Sequence, residues 1–475
     1  MNTFFESSDS KGVLSRYEGA ISNGSCSYFD TGDFEDIIDY YLQHDNVEAA
    51  LIAIEHADAQ HDMAAGIQLR KAYILSNQGY AAEALNMVEY LETLECDSID
   101  IRLIKARALV YSERVDEGEA LLNQVFVAAT DSEDKIQVSL MGVECFMGTS
   151  RYGRAVPFLK HLCEMEPRNA INHFQLAYCY EQNEELEKSL ATYKRGLDED
   201  PHDAFAWFAL GTIQSRLNMG DMALDSYDYA IALDEKMTWA YFNKAHLLQH
   251  MERHEESAKV FEGYLELDAN NELAICKLGE CYEDLNRWGE AYACYKRALD
   301  LSEECAEAYF GMASVFDEQG NEELCSEYLQ RAVALEPENP EYWFGVAQAY
   351  MRTQRAEEAI PVLERVVSLA PYDYEAWMLL ADAYLDVHSD FAEAIHTLER
   401  ALPHNSDMPS IHYRIAALMH AEHDITGCLQ YLENALRLDA TQSKEFFRLC
   451  PDAWLHPAIV DLYKQYRPKK KTSES

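Results

Sequence analysis

The sequence has 475 residues, which exceeds one ordinary globular domain and predicts either several domains or one repeat array. Hydrophobic residues make up 48% of it and charged residues 26%, a balance that suits a continuous core beneath a water-exposed surface. The formal net charge of −45 repels nucleic-acid phosphates and anionic membrane surfaces, and it attracts basic partners.

Neither an export signal nor a membrane span is expected. Residues 1–10 are acidic and polar and lack the basic and apolar regions of a signal peptide. No run of about 18 apolar residues occurs in the chain. The twelve cysteines are scattered along predicted helices without a C-x-x-C pair, so we expect small buried thiols, kept reduced in a cytoplasmic protein. Disulfide bonds are the alternative.

Residues 1–30 are rich in Ser, Gly and Asp, with aromatic residues such as Phe4, Phe5, Tyr17 and Phe29 between them. Two interpretations remain open for this N-terminal arm. It is either a frayed, flexible tail or a docked arm, which packs against the first repeats or lies in the binding groove as a built-in ligand.

From residue 31 to residue 442 one pattern returns every 34 residues. Residues 173–201 superimpose on residues 207–235, with Leu176 on Leu210 and Ala177 on Gly211. Twelve units follow in register: three divergent ones over 31–135 and nine over 136–442. Three residues are inserted near Thr130–Glu133 and one near Ser389.

Each unit carries two apolar patterns of helical spacing, joined by a short polar loop, which predicts a helical hairpin. One hairpin cannot bury its own apolar face, so neighbouring hairpins must stack. Small residues recur where two helices are expected to cross. On the first helix they are Ala177, Gly211, Ala245, Gly279, Ala313, Ala347, Ala381 and Ala416, and on the second they include Ser189, Ala223, Ser257 and Ala291. Large residues such as Tyr193, Tyr227, Phe261 and Tyr295 fill the remaining space, and Pro167, Pro201, Pro337 and Pro371 end second helices.

Residues 443–475 predict a C-terminal capping helix, or two short helices broken at Pro451 and Pro457, followed by a basic tail at Lys469, Lys470 and Lys471. A cap is expected because the last hairpin would otherwise expose its stacking face.

The pattern resembles the tetratricopeptide repeat family. The resemblance lies in the 34-residue spacing, in the opening Trp207, Leu210 and Gly211 (and Trp377, Leu380 and Ala381), and in the terminal Pro. It implies an all-α fold, a right-handed α-solenoid superhelix of about twelve helix-turn-helix repeats with a C-terminal capping helix.

In the resembled family the first helix of each hairpin lines the inner wall of the superhelix, and its fifth position projects into the groove. This implies a largely aromatic series here: Phe174, Phe208, Phe242, Cys276, Phe310, Phe344, Met378 and Tyr413. Two interpretations stay open, because these rings could pack between units or form a partly exposed ladder for a peptide.

Neighbouring groove positions are acidic: Glu280, Glu283, Asp284, Asp317, Glu318, Asp382 and Asp386. Charge of one sign in a concave wall would favour a basic ligand, although so acidic a chain places carboxylates on every face. Family members that clamp carboxylate tails use Lys, Asn and Arg at groove positions. Only Lys277 and Arg414 match that chemistry here, so we expect no such clamp.

No catalytic or cofactor motif is found. There is no phosphate-binding glycine loop and no H-E-x-x-H motif. His246, His250 and His254 share one helical spacing, but we interpret them as ordinary polar histidines rather than metal ligands. The repeats leave no room for a catalytic domain, so we expect neither an enzyme nor a bound metal or cofactor.

The sequence therefore predicts a non-catalytic, cytoplasmic scaffold or adaptor. It would bind proteins or peptides with basic and apolar residues along the concave face, and neither nucleic acid nor membrane. The alternative is an RNA-binding helical-repeat protein, which the net charge of −45 disfavours.

Overall fold

A computed structural model describes residues 11–22, 27–94, 98–388 and 391–466, and these residues form helices joined by short connections. The chain divides into two compact units, residues 1–240 and 241–475. The helices that begin in the first unit are α1 (Lys11–Ser22), α2 (Thr31–Gln43), α3 (Val47–Gln60), α4 (Ala65–Asn77), α5 (Ala81–Thr93), α6 (Ile99–Tyr111), α7 (Val115–Ala128), α8 (Ser132–Gly148), α9 (Tyr152–Met165), α10 (Ala170–Gln182), α11 (Leu186–Glu199), α12 (Ala204–Arg216), α13 (Gly220–Leu233) and α14 (Thr238–His250). Those of the second unit are α15 (His254–Leu267), α16 (Glu272–Asp284), α17 (Trp288–Leu301), α18 (Ala306–Glu318), α19 (Glu322–Leu335), α20 (Pro340–Arg352), α21 (Ala356–Leu369), α22 (Tyr374–His388), α23 (Phe391–Ala401), α24 (Pro409–Ala421), α25 (Ile425–Asp439), α26 (Ser443–Leu449) and α27 (Pro457–Tyr466).

Within the described residues, α2 to α25 pair in chain order into twelve hairpins. In each described turn inside a hairpin one residue has a positive φ, which lets the chain reverse between the two helices. These residues are Asp45, Gly79, Glu113, Ser150, Glu184, Asn218, Glu252, Asn286, Gly320, Gln354 and His423. Their spacing is 34 residues except where the sequence has its insertions, between Glu113 and Ser150 and between Gln354 and His423. The predicted all-α solenoid of helix-turn-helix repeats is therefore confirmed.

The small residues lie where the two helices of a hairpin cross. The Ser189 hydroxyl donates a hydrogen bond to the carbonyl of Ala177 at 2.8 Å, and the Ser257 hydroxyl donates one to the carbonyl of Ala245 at 2.7 Å. A Cβ atom at Gly211 would lie 2.8 Å from the Tyr227 ring. The large residues Tyr193, Tyr227, Phe261 and Tyr295 are buried beside these crossings. The prediction that large residues fill the space left by small ones is confirmed.

Tryptophan side chains attach several first helices to the loops that precede them. The indole N–H of Trp207 donates to the carbonyl of Pro201 at 2.9 Å. Trp343 donates in the same way to Pro337 at 2.9 Å, and Trp377 to Pro371 at 3.0 Å. Each bond connects the end of one hairpin to the beginning of the next.

The described part of the N-terminal arm packs against the first hairpin. Tyr17 of α1 and Phe29 are buried, and both rings lie within about 6 Å of the Phe34 ring in edge or tilted contacts. The Tyr17 hydroxyl lies 2.8 Å from Nδ1 of His56 on α3. Phe4 and Phe5 lie outside the described residues.

Two short helices follow the last hairpin. A 3₁₀ turn, Pro451–Leu455, separates α26 from α27. Phe446 of α26 and Ile459 of α27 are buried in one cluster with Leu432 of α25. These elements cover the stacking face that the last hairpin would otherwise expose. The lysines at 469–471 lie outside the described residues.

Candidate functional site

The phenylalanine series lies on the first helices, and its side chains are half-buried. Phe174 stacks near Tyr193 of its own hairpin with ring centroids 6.3 Å apart, and the Phe242 ring lies 5.7 Å from the Phe261 ring. Phe208 contacts the Tyr227 ring at 6.1 Å. Each ring thus packs partly against its own second helix and keeps the rest of its surface outside.

In the second unit Phe310 and Phe344 are also half-buried. The Phe310 ring packs on Tyr342 of the next first helix, with centroids 5.0 Å apart. A Cβ atom at Gly345 would lie 2.8 Å from the Phe310 ring, so the absence of a side chain there leaves room for it. These rings therefore pack between units in part and remain partly exposed, and whether they bind a peptide stays a prediction.

Tyr413 does not line a surface, contrary to the sequence prediction. Its side chain is fully buried, and its hydroxyl donates to the carbonyl of Asp439 at 2.8 Å. The reason is that Tyr413 lies on α24, the first helix of the last hairpin. Phe446 and Ile459 of the C-terminal helices belong to the same core cluster as Tyr413.

The sequence analysis did not identify a second, exposed series of apolar residues on the first helices. Three residues before Phe174, Phe208 and Phe242 lie Ile171 (64% exposed), Phe205 (55%) and Trp239 (66%), and Leu273 (43%) lies three residues before Cys276. Residues three apart share one helix face, so the same 34-residue register counted from this position would have found them. We call Ile171, Phe205 and Trp239 the apolar column.

The apolar column is continuous with the phenylalanine series in the first unit. The Phe205 ring lies 6.1 Å from the Phe208 ring, and the Trp239 ring lies 6.5 Å from the same Phe208 ring. This surface offers aromatic faces without a charged side chain in the column itself.

Three of the predicted acidic groove residues have a Lys or Arg partner. The pairs are Glu280 with Lys277 at 2.7 Å, Asp317 with Arg352, and Asp382 with Arg414, and Asp284 lies 2.9 Å from Nδ1 of His254. Glu318 and Asp386 are exposed. The pairing lowers the charge that these positions present to a ligand.

Glu283 is half-buried, as are Glu280, Asp317 and Asp382. Burial raises the pKa of Glu283 to about 7, and the neighbouring carboxylates of Glu280 and Asp284 act in the same direction. Burial also raises the pKa of Glu280, with a contribution from Glu341 of α20.

The position of the apolar column becomes acidic further along the chain. In α18 and α20 it is occupied by Glu307 and Glu341. We call Glu280, Glu283, Glu307 and Glu341 the acidic face of the second unit. Glu341 raises the pKa of Glu280, and Glu280 in turn raises the pKa of Glu283.

The histidines at 246, 250 and 254 do not converge. The His246 and His250 rings are in edge contact with centroids 4.5 Å apart, while His254 Nδ1 faces Asp284. Among the described residues no group of three His, Cys, Asp or Glu side chains is arranged to hold a metal ion. Within the same residues, every helix is too short or too polar to cross a bilayer.

Family models of the tetratricopeptide repeat match residues 146–204, 240–271, 277–309, 306–339 and 340–383. All of these matches lie within the nine units over 136–442. No curated protein matches the chain significantly.

Three solved structures show similar helical repeats. A tetratricopeptide repeat protein from Parabacteroides merdae ATCC 43184 is 18% identical with a TM-score of 0.46, over 53% of this chain and 99% of that one. Yeast Tom70 is 14% identical with a TM-score of 0.47, over 92% and 96%. The APC/C hetero-tetramer Cut9-Hcn1 is 13% identical with a TM-score of 0.39, over 96% and 99%.

Proposed function

Because the chain belongs to the tetratricopeptide repeat family, we propose that it is a non-catalytic scaffold that binds proteins or peptides through the first helices of its hairpins. The observation that carries this proposal is the apolar column. Large apolar side chains exposed in a regular series mark a surface that another molecule covers. We propose the cytoplasm as the compartment in which this binding takes place.

The apolar column would supply the main contacts in the first unit. Phe205 and Trp239 leave more than half of their surface exposed, and Phe208 lies between them. Aromatic side chains bury a large area on binding, and Trp and Tyr are enriched among the residues whose truncation weakens binding most. A ligand with apolar side chains along one face fits this surface.

The acidic face would supply selectivity in the second unit. Glu280, Glu283, Glu307 and Glu341 place carboxylates on first helices α16, α18 and α20. A basic segment would gain attraction there, whereas the phosphates of RNA would be repelled. This contribution should weaken with added salt, because exposed charges are screened over ~8 Å at physiological ionic strength.

A peptide-display selection against the full chain tests the proposal. Selected peptides should be enriched in apolar residues and in Lys or Arg. Their affinity, measured by fluorescence anisotropy, should fall at least about tenfold in a Phe205→Ala, Trp239→Ala double variant, because truncating a central aromatic contact typically removes ~1–2 kcal/mol or more.

Matched control variants test whether a loss of binding is specific to the proposed surface. Tyr372→Ala removes an exposed aromatic side chain from a loop outside the apolar column and should leave binding unchanged. The double variant Glu280→Gln, Glu341→Gln should bind basic peptides more weakly than the double variant Glu322→Gln, Glu323→Gln. The second variant removes the same charge from the second helix α19. Equal binding by all these variants, or tight binding of single-stranded RNA at low salt, would contradict the proposal.

A further inference from the structure

Two cysteines replace the residue types that the repeat uses elsewhere. At the fifth position of the first helix, Phe174, Phe208, Phe242, Phe310 and Phe344 are interrupted by Cys276 of α16. At the residue before a first helix, the usual Asn or Asp is replaced by Cys305, ahead of α18. The usual residues there are Asp203, Asn271, Asn339 and Asp373, whose side chains accept hydrogen bonds from backbone N–H groups of the first turn. Cys305 makes no such cap bond, although a cap is commonly worth ~1 kcal/mol.

Cys276 and Cys305 contact each other in the fold. The sulfur atoms of Cys276 and Cys305 lie 3.6 Å apart, although 29 residues separate them in the chain. Cys276 is fully buried, and Cys305 keeps 8% of its surface exposed. Two independent changes of residue type that bring two thiols into contact distinguish this junction from the others.

Cys305 is the more reactive of the two thiols. It lies at the N-terminus of the 13-residue helix α18, where the helix dipole favours a thiolate. Contact with the Cys276 thiol lowers the pKa of Cys305, and the backbone N–H of Ala308 adds to the effect, whereas burial and the carboxylates of Glu307 and Glu272 oppose it. The contact with Cys305 and burial raise the pKa of Cys276, so it stays protonated.

We propose that Cys276 and Cys305 form a reversible disulfide bond, with a low-molecular-weight disulfide such as oxidised glutathione as the oxidant. The Cys305 thiolate attacks one glutathione sulfur, forms a mixed disulfide and releases one glutathione thiolate. The Cys276 thiol then attacks Cys305 Sγ and passes its proton to the second glutathione, which leaves as a thiol. Two protein thiols are oxidised, and one glutathione disulfide is reduced to two glutathione molecules after protonation.

The bond would tie α16 to α18, the first helices of two consecutive hairpins. The sulfur atoms need to approach by roughly 1.5 Å to reach the length of a disulfide bond. This inference does not depend on the proposed function, since it concerns the junction itself. Reduced and oxidised forms would differ in how readily these two hairpins separate.

Mass spectrometry of the full chain tests the inference. The protein is incubated with reduced and oxidised glutathione in graded ratios, its free thiols are blocked with iodoacetamide, and it is digested. We expect a peptide pair linking residues 276 and 305, with a mass lower by two hydrogen atoms, that disappears on reduction. The oxidised chain should also unfold at a higher temperature than the reduced chain.

Single-site variants distinguish a specific Cys276–Cys305 link from oxidation of cysteines in general. Cys294→Ser removes a thiol of α17 whose pKa burial raises to about 11, and it should leave the linked peptide unchanged. Cys305→Asn restores the residue type used elsewhere, so it should fold normally and abolish the link. Stable glutathione on Cys305 without a link to Cys276, links to other cysteines instead, or no reaction of either thiol under strongly oxidising ratios would each overturn the inference.

Discussion

At the scale of single residues, the carboxyl group of Glu283 shows how burial changes an acidic side chain in this chain. Its pKa is raised to about 7 because the group is half-buried beside two other carboxylates. An ordinary Glu in the unfolded chain titrates near 4.5. The folded state therefore binds the proton more tightly than the unfolded state, and stability is lost as pH rises from about 4.5 to about 7.

Glu283→Gln should remove this dependence. The variant should be more stable than the parent by about 1–3 kcal/mol at pH 8, since each pKa unit corresponds to ~1.4 kcal/mol, and should differ little from it near the ordinary pKa. Thermal unfolding followed by circular dichroism at several pH values measures the effect. Glu318→Gln, at an exposed site on α18, should change stability by less than about 0.5 kcal/mol. A Glu283→Gln variant that loses stability at pH 8 would contradict the prediction.

The sequence located the first-helix face but not which of its residues a ligand could reach. The register placed Phe174 and Phe310 on first helices, and whether they bind a ligand stays a prediction. The exposure of Phe205 and Trp239 could have been found from the same register. The burial of Tyr413 could not, because it depends on how the C-terminal helices fold back on α24.

At the scale of elements, the turns within the hairpins explain why the period is so regular. Each described turn uses one residue with positive φ, but only Gly79 and Gly320 are glycines. A residue with a side chain is less favourable in this conformation, by roughly 1–2 kcal/mol for types other than Gly, Asn and Asp. The sequence did not reveal this position, because Ser, Glu, Asn, Gln and His occupy it as well.

Gln354→Gly should therefore stabilise its hairpin by up to about 1 kcal/mol, because the relief of backbone strain outweighs the extra freedom that glycine gives the unfolded chain. Gly320→Ala should destabilise the equivalent turn by a similar amount. Thermal unfolding of both variants provides the measurement. Opposite signs are the expected outcome, and destabilisation by both changes would refute the argument.

At the scale of the whole molecule, a repeat array is stabilised mainly by contacts between neighbours. A local defect should then loosen the hairpins beside it more than distant hairpins of the same unit. Gly279 provides a suitable site, since even a Cβ atom there would lie 2.7 Å from the buried Tyr295 ring.

Gly279→Leu should overpack this crossing and cost about 1–3 kcal/mol. Hydrogen exchange followed by mass spectrometry should show faster exchange in α16 to α19 and little change in α24 and α25. Gly289→Leu makes the same chemical change where nothing lies within 4 Å, and it should leave exchange unchanged. A uniform rise in exchange over the whole second unit would show that the hairpins unfold together instead.

The indole bonds to the proline carbonyls have a spectroscopic consequence. Trp207, Trp343 and Trp377 each report on one boundary between consecutive hairpins, because the surroundings of the indole change when its bond to the carbonyl breaks. Their fluorescence emission therefore carries a local signal at three places in the chain. In variants that each keep one of these three tryptophans and carry phenylalanine in place of the others, the emission comes from a single boundary. Comparing the three variants gives the order in which the boundaries open, without any added dye.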